Sequence, residues 1–299
     1  MYMPGQNPKP PPAVHAPQLW RCLVEGCRRA DPELARQLER EPDIFSLLSW
    51  NSFFYSESED IGPDLPWIDL VLERSAPDPR DIRDARSWNK RFLRLLYGIA
   101  DRMPWLVDLI PDPHMKNTLQ QANRYFENHN RLAEQARALV IDAVSEAWRD
   151  QVPICVIGHS LGSVIAFDAL WELDHIEHSR AQVDLFLTFG SPLGSNFVRK
   201  RLLGAAYRHE RRFPGNIRSW VNLPAVGDHI SLDKDFEEYF AEMLDVGGTS
   251  EILQPAGPLY NLYRDENGLN PHRSYGYLCH REVGAAVQSW WLRGERQKD

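Results

Sequence analysis

Gly158-His159-Ser160-Leu161-Gly162 directly follows the apolar run Val152-Pro153-Ile154-Cys155-Val156-Ile157 and directly precedes a helical pattern beginning at Leu161. A strand, then G-x-S-x-G, then a helix is the context in which a serine is carried on a sharp strand-to-helix turn. Glycines two positions to either side suit a turn too tight for bulky neighbours. Such a turn lifts the Ser160 hydroxyl above the sheet edge. It also aims the Leu161 N–H at the place where an oxyanion would form. The pentapeptide alone is common. The flanking strand and helix make Ser160 a candidate nucleophile, against the competing reading of a tight turn with an idle serine.

Working outward, residues 183–189 and 217–222 read as two further strands, ended by Gly190-Ser191-Pro192 and by Leu223-Pro224. Between them and the pentapeptide, Val164, Ile165, Phe167, Ala169, Leu170, Trp171 and Leu173 predict a largely buried helix. A final helix is expected from about 281 to 293. Upstream, Met1-Tyr2-Met3 reads as the end of a short strand, closed by Pro4-Gly5 and the proline-rich stretch at 9–12. A helix is expected over 17–37, divided at Asp31-Pro32 because a residue before proline avoids the helical region. Residues 44–50 read as a buried strand, and residues 115–149 as one long helix with Leu119, Phe126, Ala136 and Val140 on its buried stripe. Strands alternating with helices predict an α/β fold, a mainly parallel sheet with helices on both faces.

No internal repeat or linker divides the chain, so residues 1–299 are expected to form one domain with an insertion at about 52–115. Within it, Trp88, Phe92, Leu95, Leu96 and Ile99 share one helical face, and Trp105, Leu106 and Leu109 extend the apolar character. Three readings of 88–110 compete: a cap or lid over the site, a membrane-surface helix favoured by Lys90, Arg91 and Arg94, and an ordinary amphipathic helix packed on the domain or on a second subunit.

The chain has 299 residues, 43% hydrophobic and 25% charged, which is ordinary for a globular protein. A net charge of −8 argues against a nucleic-acid partner. No apolar run approaches the ~20 residues of a membrane span, and no basic-then-apolar leader opens the chain. Cys22, Cys27, Cys155 and Cys279 lack metal-ligand spacing, and Cys155 reads as a buried small hydrophobe in its strand. A reduced, cytoplasmic protein without a metal is the expectation; homo-oligomerisation stays open.

A serine hydroxyl needs a base, usually histidine, itself oriented by a carboxylate. In α/β hydrolases the partners follow in the order Asp or Glu, then His. Of ten histidines only His229, His272 and His280 lie well downstream with an acid before them. His272 sits in the turn-rich Asn267-Gly268-Leu269-Asn270-Pro271-His272, from which a ring can swing over a sheet edge. His280 reads as a helix cap or surface residue, and His229 adjoins the favoured acid too closely to point back onto it. That acid is Asp228, in the loop after residues 217–222; Asp233, Asp235 and Asp265 compete.

Gly158-His159-Ser160-Leu161-Gly162, Thr188-Phe189-Gly190-Ser191-Pro192, Trp220-Val221-Asn222 with Asp228-His229-Ile230, and Pro271-His272-Arg273-Ser274-Tyr275 together resemble the lipase/esterase branch of the α/β-hydrolase superfamily. The resemblance spans about 150–295 plus a short N-terminal piece. It implies Ser160 as nucleophile, Asp228 as acid and His272 as base, although Asn222 and Asp228 stand further apart than in the common pattern. Such enzymes carry a His-Gly-x-Gly-like oxyanion loop after an early strand, where this chain has Met3-Pro4-Gly5-Gln6. The resemblance makes Gly5 the point of backbone approach and the Gln6 N–H the second oxyanion donor, beside Leu161; a flexible terminus is the competing reading. His159 is expected to be structural, its side chain facing away from the reacting carbonyl. The implied activity is cleavage of a small acyl ester through an acyl-enzyme, without metal or organic cofactor. Thioester or amide cleavage would use the same groups, and a non-catalytic binding protein on this fold is the rival outside enzymes.

Overall fold

The computed structural model describes residues 1–87, 123–231 and 236–295. The segment 88–110, with the three readings given to it, lies outside them, as do Asp233 and Asp235. Strands β1 (Tyr2–Met3), β2 (Cys155–His159), β3 (Leu185–Phe189), β4 (Ser219–Leu223) and β5 (Glu251–Leu253) form one sheet in that spatial order. Every pairing in it is parallel. Helices α1 (Pro12–Ala30), α2 (Pro32–Leu38), α3 (Leu65–Glu73), α4 (Pro79–Ala85) and α5 (Leu132–Arg149) lie between β1 and β2. After β2 come α6 (Leu161–His175), α7 (Phe236–Asp245), α8 (Ser274–Leu278) and α9 (Arg281–Glu295), with a two-stranded hairpin, β6 (Arg264–Asp265) and β7 (Gly268–Leu269), before α8. This is the expected α/β arrangement.

The central strands β2, β3 and β4 are buried throughout, which is why each reads as a continuous run rather than an alternation. Their side chains still divide by parity. Met3, Val156, Phe186 and Trp220 enter a core closed by α5, α6 and α7. Tyr2, Cys155, Ile157, Leu185, Leu187, Phe189, Val221 and Leu223 enter a second core under α1, α2, α3, α8 and α9. Trp220 anchors the first, with Phe240 at 4.7 Å and Phe236 at 5.1 Å between ring centres. Its indole N–H donates to Thr188 Oγ1 (2.9 Å), which donates to Asn222 Oδ1 (2.8 Å), so these three side chains satisfy one another inside the apolar layer. Among the described residues no helix is long and apolar enough to cross a membrane.

Several expectations are corrected. Strand β2 runs on through Gly158 and His159, because pairing with β3 continues to His159 opposite Phe189. The first helix starts at Pro12, not near 17; a proline there forfeits no helical hydrogen bond, whereas Pro17 falls inside. The division before Pro32 is present, with Asp31 capping α2 through the Glu33 N–H at 2.8 Å. Residues 44–50 are not a buried strand: only Leu47 bridges Tyr2, since β1 is two residues long and offers no further partner. The long helix expected over 115–149 is interrupted. A helical piece at 123–127 ends where Asn128, Asn130 and Arg131 adopt φ of 49°, 55° and 60°. Asparagine tolerates that region, and Asn128 Oδ1 takes the Ala133 N–H (3.0 Å) as α5 begins. The rest of that expected helix, 115–122, lies outside the described residues. Where described, the insertion holds α3 and α4, the latter opened by an Asp78–Asp81 capping box. The edge strand β5 and the hairpin are too short and too exposed to register as sequence patterns.

The turn from β2 into α6 holds Ser160 at φ 52°, ψ −130°, a conformation that costs a non-glycine residue about 1–3 kcal/mol. The glycines around it are demanded by contact. A Cβ on Gly158 would come 2.6 Å from Ser163 Cα, and one on Gly162 would come 2.3 Å and 2.4 Å from the carbonyl oxygens of Pro4 and Met3. Gly162→Ala is therefore expected to lose about 2 kcal/mol or more of stability, read as a lower urea midpoint at unchanged slope. A midpoint within error of the parent would contradict this packing.

Candidate active site

Three loops converge on Ser160. His272 Nε2 lies 3.0 Å from Ser160 Oγ, and His272 Nδ1 lies 2.9 Å from Asp228 Oδ2. An ionised carboxylate only accepts, so Nδ1 carries the proton and Nε2 is left to take one from Ser160. Asp228 is 1% exposed and also accepts the Tyr277 hydroxyl on Oδ2 (2.7 Å) and the Ile230 N–H on Oδ1 (3.0 Å). Burial alone would raise its carboxyl, but electrostatic attraction and the hydrogen bond from His272, with the bond from the Tyr277 hydroxyl, hold it well below the usual carboxylate range. Tyr277 in turn accepts the Ala225 N–H at 2.9 Å, tying the acid's loop to α8.

The His272 loop is clamped from beneath. Asn261 donates to the carbonyls of Pro271 (3.0 Å) and Arg273 (2.8 Å), while Asn270 Oδ1 accepts the His272 N–H (3.2 Å). His159 donates from Nε2 to the His272 carbonyl at 2.9 Å. Its Nε2 is thus turned onto the His272 loop, while its ring lines the pocket beside Ser160. Burial first, and then the electrostatic effect of His272, hold the His159 imidazole well below its ordinary value. His280 accepts the Glu282 N–H at the start of α9, the cap expected of it. His229 lines the same pocket, and Asp265 takes a turn N–H from Asn267 at 2.8 Å. A short helix, α8, stands between His272 and the last helix, where the sequence suggested none.

Residues 4–7 follow β1 and cross in front of the Ser160 turn. A Cβ on Gly5 would stand 3.0 Å from Ser160 Cβ, so only glycine lets this backbone approach. The carbonyls here are each held. Trp50 Nε1 donates to Pro4 O (2.7 Å), Asn51 Nδ2 to Gly5 O (2.8 Å) and Asn7 O (2.8 Å), and Lys9 Nζ to Gln6 O (2.8 Å). With its oxygens bound this way, the loop forms one wall of the pocket. Gly5, Gln6, Ser160 and His272 all line that pocket. Trp50, Asn51, Asn261 and Tyr277 carried no sequence signal, because their partners are distant in the chain.

Comparisons with models of protein families, with curated proteins and with solved structures found no match to this chain.

The buried imidazoles make stability depend on pH. His15 is lowered to about 3 and His280 to about 4, mainly by burial, and His159 is lowered well below 6.5. A histidine depressed in the folded state contributes stability that is complete above pH 6.5 and is lost as the pH falls toward its folded value. Asp168, raised to about 6 by burial, acts in the opposite sense and offsets one of the three. Each uncompensated imidazole loses about 1.4 kcal/mol per pH unit below 6.5. Urea unfolding should thus show stability dropping from pH 6.5 to 4.5, with a shallower slope in His15→Asn. A flat profile over that window would contradict neutral burial.

Proposed function

We propose that the protein is a serine hydrolase of the α/β-hydrolase kind, cleaving a small carboxylic ester through an acyl-enzyme. One observation carries the reading: the continuous hydrogen-bonded line from Ser160 Oγ through His272 to the buried Asp228. In this mechanism Ser160 Oγ attacks the ester carbonyl and its proton passes to His272 Nε2. Asp228 stabilises the imidazolium and fixes its tautomer. The tetrahedral oxyanion is held by the N–H groups of Leu161 and Gln6. The alcohol leaves with the proton from His272. Water, deprotonated by His272, then attacks the acyl-serine and frees the acid and Ser160.

Ser160→Ala should abolish hydrolysis of a short p-nitrophenyl ester in a folded protein, by about 10⁴-fold or more. His272→Ala should be almost as damaging and the double variant little worse, since the two act as a unit. Asp228→Asn should fold yet turn over about 10³–10⁴-fold more slowly, the amide favouring the wrong imidazole tautomer. More than a tenth of parental activity in folded Ser160→Ala would end the reading. Labelling of Ser160 by a fluorophosphonate separates an enzyme from a binding protein on the same fold. Matched p-nitrophenyl esters and thioesters separate the two acyl chemistries.

The oxyanion loop gives a second test. Asn51→Asp is isosteric but turns a carboxylate toward two carbonyls, so residues 5–7 should rotate. It should lower kcat about tenfold or more with little change in KM, and weaken a boronic-acid inhibitor in parallel. Unchanged kcat in this variant would remove the 5–7 loop from the oxyanion site.

A further inference from the structure

The pocket in front of Ser160 is small and polar. Its volume is about 200 Å³, below the 300 Å³ or more of drug-sized ligand sites and equal to about seven liquid-water volumes. Two of its wall groups have hydrogen-bonding capacity left over. His15, on α1, is only 3% exposed, and its Nδ1 has no partner among the described residues. Lys9 spends one of its three ammonium protons on the Gln6 carbonyl. The other charges on this side are one arginine and two carboxylates. Arg273 pairs with Asp64, which also takes the Tyr263 hydroxyl, and Glu59 stands at the rim, 41% exposed and 4.0 Å from Arg273.

We infer that the ester cleaved at Ser160 carries a carboxylate on its acyl side, bound by the Lys9 ammonium and the His15 N–H a few bonds from the reacting carbonyl. The inference rests on the proposed ester hydrolysis and specifies its substrate class. The arrangement favours an anion for two reasons. Burial, and then the charges of Lys9 and Arg273, keep His15 neutral, so its single N–H can donate but the ring adds no charge. Lys9 itself is lowered to about 8, chiefly by desolvation and then by Arg273, against the opposing pull of Glu59 and Asp64, and a bound carboxylate would compensate the hydration that burial removes. Lys9 Nζ bonds the carbonyl of Gln6, whose N–H is the second oxyanion donor of the proposed mechanism, so a spacer of only a few bonds would join the two ends of the substrate.

The test uses two methyl esters of equal shape, methyl hydrogen succinate and methyl 4-methylpentanoate, which differ in a carboxylate against an isopropyl group. Acid release is followed by pH-stat at pH 7. The parent protein should show a kcat/KM at least tenfold higher for the succinate ester. Lys9→Met, whatever it does to absolute rates, should bring the ratio near one, and His15→Phe should lower it. Succinate should slow fluorophosphonate labelling of Ser160 more than 4-methylpentanoate does, a measurement that needs no variant. A ratio at or below one in the parent, with either ester cleaved, overturns the inference and leaves the esterase reading standing. Labelling of Ser160 with neither ester turned over also overturns it. Absence of labelling removes both.

Discussion

The packing of Gly162 against the carbonyls of Met3 and Pro4 is the contact on which the site depends. It locks the start of α6 to the end of β1, and those two backbones carry the Leu161 and Gln6 N–H groups. Because the contact is backbone on backbone, with no room for one methyl group, the separation of the two donors cannot drift with side-chain motion. The strained Ser160 conformation persists for the same reason. Pairing of β2 with β3 fixes one side of the turn, Gly162 fixes the other, and the residue between has no relaxed alternative.

Burying Asp228 is the second constraint. A lone carboxylate in this core would be costly, and the structure answers with donors from three directions, His272, Tyr277 and the Ile230 N–H. Two of these come from the segment 272–277, so the loop that carries His272 and the helix that follows it together hold the Asp228 carboxylate.

Legibility in the sequence followed distance along the chain. Ser160 and Asp228 follow strands that the sequence shows, and His272 sits in a turn-rich stretch downstream of both, so order and turn chemistry sufficed to nominate them, and the structure brings all three together. The supporting residues are different. Trp50 and Asn51 hold carbonyls 46 residues away, and Tyr277 reaches Asp228 across 49. Neither type nor local pattern reveals such partnerships. The misread elements share another cause. Residues 44–50 have strand composition, but the two-residue β1 gives them one bridge to form. The helix expected over 115–149 has an unbroken apolar stripe, but Asn128 and Asn130 turn the backbone where hydrophobic periodicity is silent.

The four thiols have a consequence for dynamics. Cys22, Cys27, Cys155 and Cys279 all belong to the core on the α1, α8 and α9 side of the sheet, and none is more than 8% exposed. Burial pushes Cys27 and Cys155 up to about 12, so neither is a thiolate in the folded state. Their reaction with an alkylating reagent must wait for that layer to open. The rate therefore clocks the lifting of α1 and the C-terminal helices, while the opposite layer under α5, α6 and α7, which contains no cysteine, stays unseen. The chain thus carries a native one-sided probe of sub-global unfolding, on the layer that holds the tyrosine supporting Asp228.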